Sequence, residues 1–417
     1  MDNKVFFLID FDAFFISCHA IENKYINEVP AVVCENNKKG IVITANYKSR
    51  AIGVKTAMPI FKVKKIIPDI LIINPDMDLY SQVSRETFKA ISDTFTSKME
   101  VVSIDECFLE VSDSYKKYGT VMNMANEIKE FVKTNFNLTC SIGVSSNKFL
   151  SKMASEFNKP DGVSKMLPTE IEEKLWPLDI QKMYGVGAAT TKKFEALKVK
   201  TIGDLARQKR ETVIELLGKH GFNLWINANG LSEDEINLNY FEINSVGNEW
   251  TLTQLSNNEY ELENHLRDLT EMVCNRVKKR LKKAYTVAIV VVYKDFGEKL
   301  SKKKKTRQIT LKTPSNDLEE IFPHVLELFY SFWNGDLVKL IGVRLANLVE
   351  DFSVKKQLSI DEVNVIKKYN VVESIMDNIN NSINKKMLIT GTNLIKKNEK
   401  YSNNFKYSKV EKENRKK

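Results

Sequence analysis

The sequence has few of the residues that build covalent or zinc-based frameworks. Only five cysteines and four histidines occur among 417 residues, and no two cysteines form a Cys-x-x-Cys pair. Their spacing argues against a disulfide framework and a structural zinc site, and it favours a reducing compartment such as the cytoplasm. The cysteines are Cys18, Cys34, Cys107, Cys140 and Cys274.

Long apolar runs are missing as well. The first run, Val5–Ile9, is too short for the core of a signal peptide, and the most apolar later stretch, Val287–Tyr293, is too short to span a bilayer. We therefore expect no membrane association. No Gly-x4-Gly-Lys-Ser/Thr loop occurs, which disfavours an ATP-driven motor.

The composition is that of a soluble globular protein, with 43% hydrophobic and 28% charged residues. The length predicts roughly three domains. The net charge of +9 favours a polyanionic partner such as nucleic acid, although many soluble proteins are equally basic.

Three acids mark the most informative part of the chain. Asp10 follows the apolar run at 5–9, and Asp105 and Glu106 lie at the turn between two predicted strands, Met99–Ile104 and Cys107–Val111. A lone acid at a strand end is usually a solvated turn residue. An adjacent pair at the tip of an apolar hairpin, facing a third carboxylate, instead predicts a site for two Mg²⁺ ions about 4 Å apart. The site would serve nucleotidyl transfer.

A second group predicts a triphosphate site. Tyr47 and Arg50, in the segment that begins at Thr44, are three residues apart and share a helix face, so that a hydroxyl and a guanidinium could bind β- and γ-phosphates. Lys159 could add one more charge. The ring of Phe15 could lie under the sugar of the nucleotide, where it would exclude a 2′-hydroxyl.

The order of elements predicts an α+β, multidomain fold. A strand, a helix, two strands, a helix and a strand follow one another outside an insertion at 20–77, which is a ferredoxin-like order. Short helices follow from about residue 169, and a second α+β unit begins near residue 240. Strands are predicted at Val5–Ile9, Ala31–Cys34, Gly40–Thr44 and Leu138–Val144, and in the second unit at Thr286–Tyr293, Thr306–Lys312 and Val338–Asn347.

Two further features predict contacts with DNA. Gly185 and Gly187 lie between helical segments, which favours a helix-hairpin-helix whose N–H groups hold a backbone phosphate. Lys302–Lys305 reads as a hairpin loop next to a strand that carries Arg307. Such a run is more often solvated, but Lys305 and Arg307 could also follow a phosphate backbone.

Taken together, these residues resemble the Y-family translesion DNA polymerases. The resemblance covers about residues 4–350, and its motifs occur in the family's order. The motifs are Ile9-Asp-Phe-Asp-Ala-Phe-Phe15, Thr44-Ala-Asn-Tyr-Lys-Ser-Arg50, Ser103-Ile-Asp-Glu106 and Ser145-Ser-Asn-Lys-Phe-Leu-Ser-Lys-Met-Ala154, which leads to Lys159-Pro160.

The resemblance implies a role for each matching residue. Asp10, Asp105 and Glu106 would be metal ligands together with the Phe11 carbonyl, Asp105 and Glu106 the catalytic acids, and Phe15 the steric gate. Thr44, Tyr47, Arg50 and Lys159 would contact the triphosphate. His19 stands where relatives often have Glu.

The resemblance also implies a right-handed architecture and the substrates. The predicted domains are a palm at 1–19 and 78–168, fingers at 20–77, a helix-hairpin-helix thumb at 169–232, a linker at 233–239, an α+β little finger at 240–350 and a tail at 351–417. The substrates would be primer–template DNA and deoxynucleoside triphosphates. A nucleoid-associated monomer with low fidelity and no proofreading is expected.

The tail carries a possible peptide for a sliding clamp, Gln357-Leu358-Ser-Ile360, although Asp361 stands where a second apolar anchor is common. Two other functions remain open: a DNA-binding scaffold with an inactive palm, and a nucleotidyl cyclase, which would have no use for the predicted thumb.

Overall fold

The computed structural model describes residues 4–37, 40–232, 234–238, 243–294 and 304–351. The chain divides into two compact units, Met1–Glu242 and Ile243–Lys417. Within the described ranges, every helix is too short or too polar to cross a membrane.

The first unit contains eight named strands in its described part. They form a five-stranded sheet in the order β5-β6-β1-β7-β8 and a small sheet in the order β3-β2-β4. The strands are β1 (Phe6–Phe11), β2 (Ala31–Val33), β3 (Thr44–Ala45), β4 (Leu71–Ile73), β5 (Met99–Val101), β6 (Glu106–Glu110), β7 (Cys140–Ser145) and β8 (Val163–Lys165).

Eleven α-helices belong to the described part of this unit. They are α1 (Phe14–Glu22), α2 (Tyr47–Ala51), α3 (Ile60–Ile66), α4 (Met77–Thr94), α5 (Val121–Phe136), α6 (Lys148–Ser155), α7 (Ile171–Lys174), α8 (Ala188–Phe194), α9 (Ile202–Ala206), α10 (Arg210–Leu217) and α11 (Lys219–Ala228). The last five enclose a helical core of their own together with α6.

The centre of the large sheet is β1, which is antiparallel to both β6 and β7. The part of the sheet formed by β5, β6, β1 and β7 has the ferredoxin-like order, so the predicted fold class is confirmed. Phe7, Ile9 and Phe11 face the core formed with α1, α4 and α5. Because side chains alternate along a strand, Asp10 faces the other side of the sheet, where α6 packs.

Helix α6 lies unusually close to β7. A Cβ atom at Gly143 would be only 1.9 Å from the carbonyl oxygen of Ser151, so a residue with a side chain cannot occupy this position without displacing the helix. Asn147 caps the start of the helix, because its side chain accepts a hydrogen bond from the N–H of Leu150 at 2.8 Å.

Several predicted boundaries were wrong. The strand expected at 5–9 continues to Phe11, so that Asp10 lies within β1 and not after it. The strand expected at 40–44 is reduced to β3, because Ile41 forms only an isolated bridge with Pro59. The helices α3, α10 and α11 and the strands β4 and β8 were not predicted; the two strands have only three residues each.

The second unit is a four-stranded antiparallel sheet in the order β11-β10-β12-β9, and both helices pack on one face. The pattern predicted three of its strands but missed β9, where only three of twelve residues are buried. The elements are β9 (Ser245–Ser256), α12 (Glu259–Lys278), β10 (Lys282–Tyr293), β11 (Lys304–Ser315), α13 (Leu318–Tyr330) and β12 (Val338–Glu350).

Candidate active site

Two of the three predicted metal ligands face each other in the large sheet. Asp10 on β1 pairs directly with Glu106 on β6, and their carboxyl groups share a hydrogen bond. Asp10 is buried, with 7% of its surface exposed. A pair of acids this close is stable only when a proton or a cation balances its charge.

The cation is supplied by α6. Lys152 Nζ lies 3.1 Å from Asp10 Oδ2 and 2.5 Å from Glu106 Oε1. A second ammonium group, that of Lys159, lies 2.8 Å from Asp10 Oδ1 and 2.8 Å from Glu156 Oε1. Lys152 was not among the site residues predicted from the sequence, although a lysine on the buried face of a predicted helix was a usable signal.

The charges shift the pKa of each partner. Burial and the hydrogen bond with Asp10 raise the pKa of Glu106 to about 7. Burial alone would raise the pKa of Asp10 too, but the hydrogen bond with Glu106 and the two ammonium groups outweigh it and lower that pKa. Burial likewise opposes the charge of Lys152 and Lys159, yet the facing carboxylates keep the pKa of both above its ordinary value.

The backbone of Asp105, but not its carboxylate, is linked to the strand that carries Asp10. Its carbonyl oxygen accepts a hydrogen bond from the N–H of Phe11 at 2.9 Å, whereas its carboxylate accepts one from Ser103 Oγ at 2.5 Å. In the part of the chain that the structure describes, no three acidic, histidine or cysteine side chains form a ready metal-binding group. The structure thus brings the carboxyl groups of Asp10 and Glu106 together, whereas the carboxylate of Asp105 is hydrogen-bonded to Ser103.

Asp12 connects several parts of the candidate site, and it was not among the residues predicted from the sequence. Its buried carboxylate accepts hydrogen bonds from Ser141 Oγ and from the N–H of Asp161, both at 2.8 Å, and from the Tyr47 hydroxyl at 3.3 Å. Asp12 therefore joins β7, the loop that carries Lys159 and the helix that carries Tyr47. The repeated acid in Asp10-Phe11-Asp12 was the available signal.

Three of the predicted triphosphate residues lie together in the small sheet and α2, namely Thr44, Tyr47 and Arg50, whereas Lys159 lies in the loop after α6 and contacts Asp10. Arg50 Nε donates to the carbonyl oxygen of Ala45 at 2.8 Å, and its Nη2 lies 3.5 Å from Thr44 Oγ1. The Arg50 guanidinium also lies 4.9 Å from the centre of the Tyr47 ring. Burial and the nearby Asp12 carboxylate raise the pKa of Tyr47, so its hydroxyl stays protonated and can donate.

The start of α2 is fixed by Asn46. Its buried side chain accepts a hydrogen bond from the N–H of Ser49 at 3.0 Å and donates to the carbonyl oxygen of Val29 at 2.7 Å. This cap sets the direction of the helix, and with it the positions of Tyr47 and Arg50.

Phe15 lies at the start of α1, and its ring packs against another aromatic ring. The ring centres of Phe15 and Tyr80 are 4.5 Å apart. Tyr80 is fully buried, and its hydroxyl lies 2.8 Å from His19 Nε2. The partly exposed Phe15 ring is therefore held from behind by a fixed neighbour.

The predicted DNA contacts of the first unit lie at a turn before α8. Gly185 has a positive φ of 91°, and Gly187 precedes the helix, where its carbonyl oxygen accepts hydrogen bonds from the N–H groups of Thr190 and Thr191 at 2.9 Å. The helix-turn geometry expected for these glycines is present.

In the second unit, Lys305 and Arg307 lie on edge strand β11 and point to the helix-covered side. Lys305 Nζ lies 5.3 Å from the centre of the Tyr293 ring, and the Arg307 guanidinium lies 5.9 Å from that of Phe332. The alternation of the strand places Lys304 on the open face. Gln357, Leu358 and Ile360 lie outside the described residues.

Known protein families and curated relatives match this chain over nearly its whole length. Residues 9–156 match the impB/mucB/samB family, residues 168–199 the IMS family HHH motif, and residues 243–360 the impB/mucB/samB family C-terminal domain. DNA polymerase IV of Clostridium kluyveri is 35% identical over 405 residues, which cover 95% of this chain and 99% of the relative. DNA polymerase IV 1 of Bacillus subtilis is 32% identical, with 95% of each chain covered.

Solved structures agree with the fold. A Y-family DNA polymerase chimera, Dbh-Dpo4(243-245)-Dbh, has a TM-score of 0.72 at 23% identity and covers 83% of this chain and 99% of its own. An insertion ternary complex of Dbh DNA polymerase has a TM-score of 0.59 with the same identity and coverage.

Proposed function

The chain belongs to the impB/mucB/samB family and is a Y-family DNA polymerase, and from this premise we propose that it extends a primer 3′-hydroxyl by two-metal phosphoryl transfer. The observation that carries the proposal is the pair of facing carboxylates, Asp10 and Glu106, with two ammonium groups against them. Low fidelity and translesion synthesis are part of the proposal.

The residues present fit a hard divalent cation. The pair offers only oxygen donors, and it already binds positive charge in the form of Lys152 and Lys159, which is what Mg²⁺ requires of a site. Asp10 and Glu106 would hold two Mg²⁺ ions together with Asp105 and the Phe11 carbonyl. When bound, such ions lower the pKa of the attacking hydroxyl and neutralise charge on the phosphates.

The chain's own side chains would bind and orient the incoming nucleotide. The Tyr47 hydroxyl and the Arg50 guanidinium donate to phosphate oxygens, and Lys159 and Thr44 add further contacts. Asp12 positions Tyr47 and the loop of Lys159 at the same time, so these two donors reach the triphosphate as one unit.

Phe15 would exclude ribonucleotides. A planar ring under the sugar leaves no volume for a 2′-hydroxyl, and the contact with Tyr80 prevents the ring from moving aside. The discrimination is steric, which suits a site that must accept four different bases.

Residues other than the three acids would bind the DNA backbone. In the first unit we assign a primer or template phosphate to the turn of Gly185 and Gly187. In the second unit we assign phosphates to Lys305 and Arg307, whose charges lie on an edge strand. The partners are thus primer–template DNA and deoxynucleoside triphosphates.

The remaining assignments follow the same premise. We propose the palm, fingers, thumb, linker, little finger and tail with the boundaries predicted above, a monomeric state and a location in the bacterial cytoplasm at the nucleoid. We also propose a sliding clamp as a partner of the segment that contains Gln357, Leu358 and Ile360.

Primer extension tests the proposal. The purified chain, a primed template, Mg²⁺ and deoxynucleotides should give extended primer, and Asp10→Asn should give none. Cyclic nucleotide formed from triphosphate alone, or DNA binding without extension, would contradict the proposal.

A further inference from the structure

The Lys152 ammonium group occupies the space between the two carboxylates assigned to the metal. The lysine side chain is 12% exposed and contacts both Asp10 Oδ2 and Glu106 Oε1. A divalent cation bound to the same oxygens would lie within a few ångströms of this ammonium. Because like charges repel strongly in a buried site, the lysine and the metal exclude each other.

The structure offers the ammonium another position. Glu156, which directly follows α6, has its Oε1 atom 3.7 Å from Lys152 Nζ and 2.8 Å from Lys159 Nζ, and its side chain is 52% exposed. A cavity of about 520 Å³ lies beside the lysine and is lined by Lys152, Glu156 and Tyr184 among others, which leaves room for a lysine side chain to move. Lys152 can therefore leave the carboxylates without entering the core.

We propose that Lys152 acts as a counter-ion that holds Asp10 and Glu106 together while no metal is bound. When a divalent ion binds, the lysine side chain swings away and its ammonium group pairs with Glu156. This inference rests on the proposed metal site. It makes Lys152 a positioning residue: without it and without a metal, Asp10 would keep the ammonium of Lys159 but Glu106 would lose that of Lys152. The two carboxyl groups would then repel, and the end of β1 would lose the geometry that the metal needs.

Metal binding gives a direct test. Mn²⁺ is titrated into the full chain, without DNA or nucleotide, by calorimetry. Lys152→Gln should bind Mn²⁺ about tenfold more tightly than the wild type, because the metal no longer competes with an ammonium. Lys152→Arg keeps the positive charge and should bind Mn²⁺ with an affinity close to that of the wild type.

A matched control lies on the same helix. Lys148 is also largely buried, with its side chain 17% exposed, and it is paired with Glu100, but it contacts neither Asp10 nor Glu106. Lys148→Gln should leave the Mn²⁺ affinity unchanged. Glu156→Gln should weaken Mn²⁺ binding by a few-fold, because the ammonium groups of Lys152 and Lys159 both lose a partner away from the metal site.

Thermal unfolding supplies the second readout. In EDTA, Lys152→Gln should have a lower Tm than the wild type, and saturating Mn²⁺ should remove most of the difference. A lysine that only packs the helix would lower Tm equally in both conditions.

Three results would overturn the inference. They are an unchanged or weaker Mn²⁺ affinity in Lys152→Gln, a Tm deficit that Mn²⁺ does not reduce, and the same gain of affinity in Lys148→Gln. If Asp10→Asn left Mn²⁺ binding at the wild-type level, the metal assignment would fall as well, and the inference with it. If the Mn²⁺ affinity is unchanged in Lys152→Gln but reduced in Asp10→Asn, the inference about Lys152 fails while the metal assignment stands.

Discussion

In the first unit, the carboxylates of Asp10 and Glu106 lie inside the protein against two ammonium groups, whereas in the second unit the cations of β11 lie at the edge of a regular sheet. Charges of the first kind change one another's pKa. On the function proposed above, the two units use charge for separate tasks, chemistry in the first and attachment of DNA in the second, and variants should separate these tasks.

The largest effect is expected at Asp105. Asp105→Ala should lower the rate of primer extension by at least about 10³-fold, because a ligand that acts on the reacting phosphate is lost. Single-turnover extension measures the rate, and fluorescence anisotropy should show DNA affinity within about threefold of the wild type. Extension near the wild-type rate would remove Asp105 from the metal site and leave Asp10 and Glu106 as its side-chain ligands.

Phe15→Ala should change the choice of sugar. Removal of the ring opens the volume under the ribose, and the preference for deoxynucleotides over ribonucleotides should fall by about 100-fold. The ratio of kcat/KM for the two substrates measures this preference, with Phe14→Leu as a control in the buried core. An unchanged ratio would mean that another side chain excludes the 2′-hydroxyl.

Tyr47→Phe should have a smaller effect within the same unit. The variant loses the hydroxyl that would bind phosphate and that now donates to Asp12, so KM for the nucleotide should rise about fivefold while kcat changes little. Steady-state kinetics provide both values. A loss confined to kcat would show that Tyr47 acts in the transition state and not in nucleotide binding.

The second unit should respond in affinity alone. Arg307→Ala should reduce the slope of log Kd against log salt by about 1, with kcat at saturating DNA unchanged. Arg276, an exposed residue of α12, provides the control. If Lys304→Ala reduces the slope and Arg307→Ala does not, DNA lies on the open face of the sheet and not along the helix-covered edge.

The smallest effect concerns His19 and stability. Desolvation lowers the pKa of His19 below its ordinary value of 6.5, although Asp76 and Glu22 oppose the shift. The unfolded chain then binds a proton at a higher pH than the folded chain, so stability is lost as pH falls below about 6.5. His19→Gln should show a weaker decrease in Tm between pH 7.5 and 5.5. Parallel curves for the two proteins would show that His19 is not the group responsible.

The sequence predicted most of what depends on local pattern. The long helices α4, α5, α12 and α13, the apolar β1 and the hairpin of Asp105 and Glu106 follow from periodicity and turn chemistry. The contacts of Asp12 and Lys152 could not be predicted in this way, because each joins segments far apart in the chain. The polar edge strand β9 gave no alternating signal, and the side on which Lys305 projects depends on a register that residue types alone do not determine.

The close approach of α6 to β7 at Gly143 has a mechanical consequence. Since the helix packs directly on the backbone of β7 there, backbone atoms and not side-chain rotamers set its distance from the sheet. The position of Lys152 relative to the sheet is therefore closely fixed. A single methyl group at position 143 would act as a wedge that tilts the helix without altering any charge. The effect of Gly143→Ala would therefore measure how far the Lys152 ammonium can shift relative to the carboxyl groups of Asp10 and Glu106.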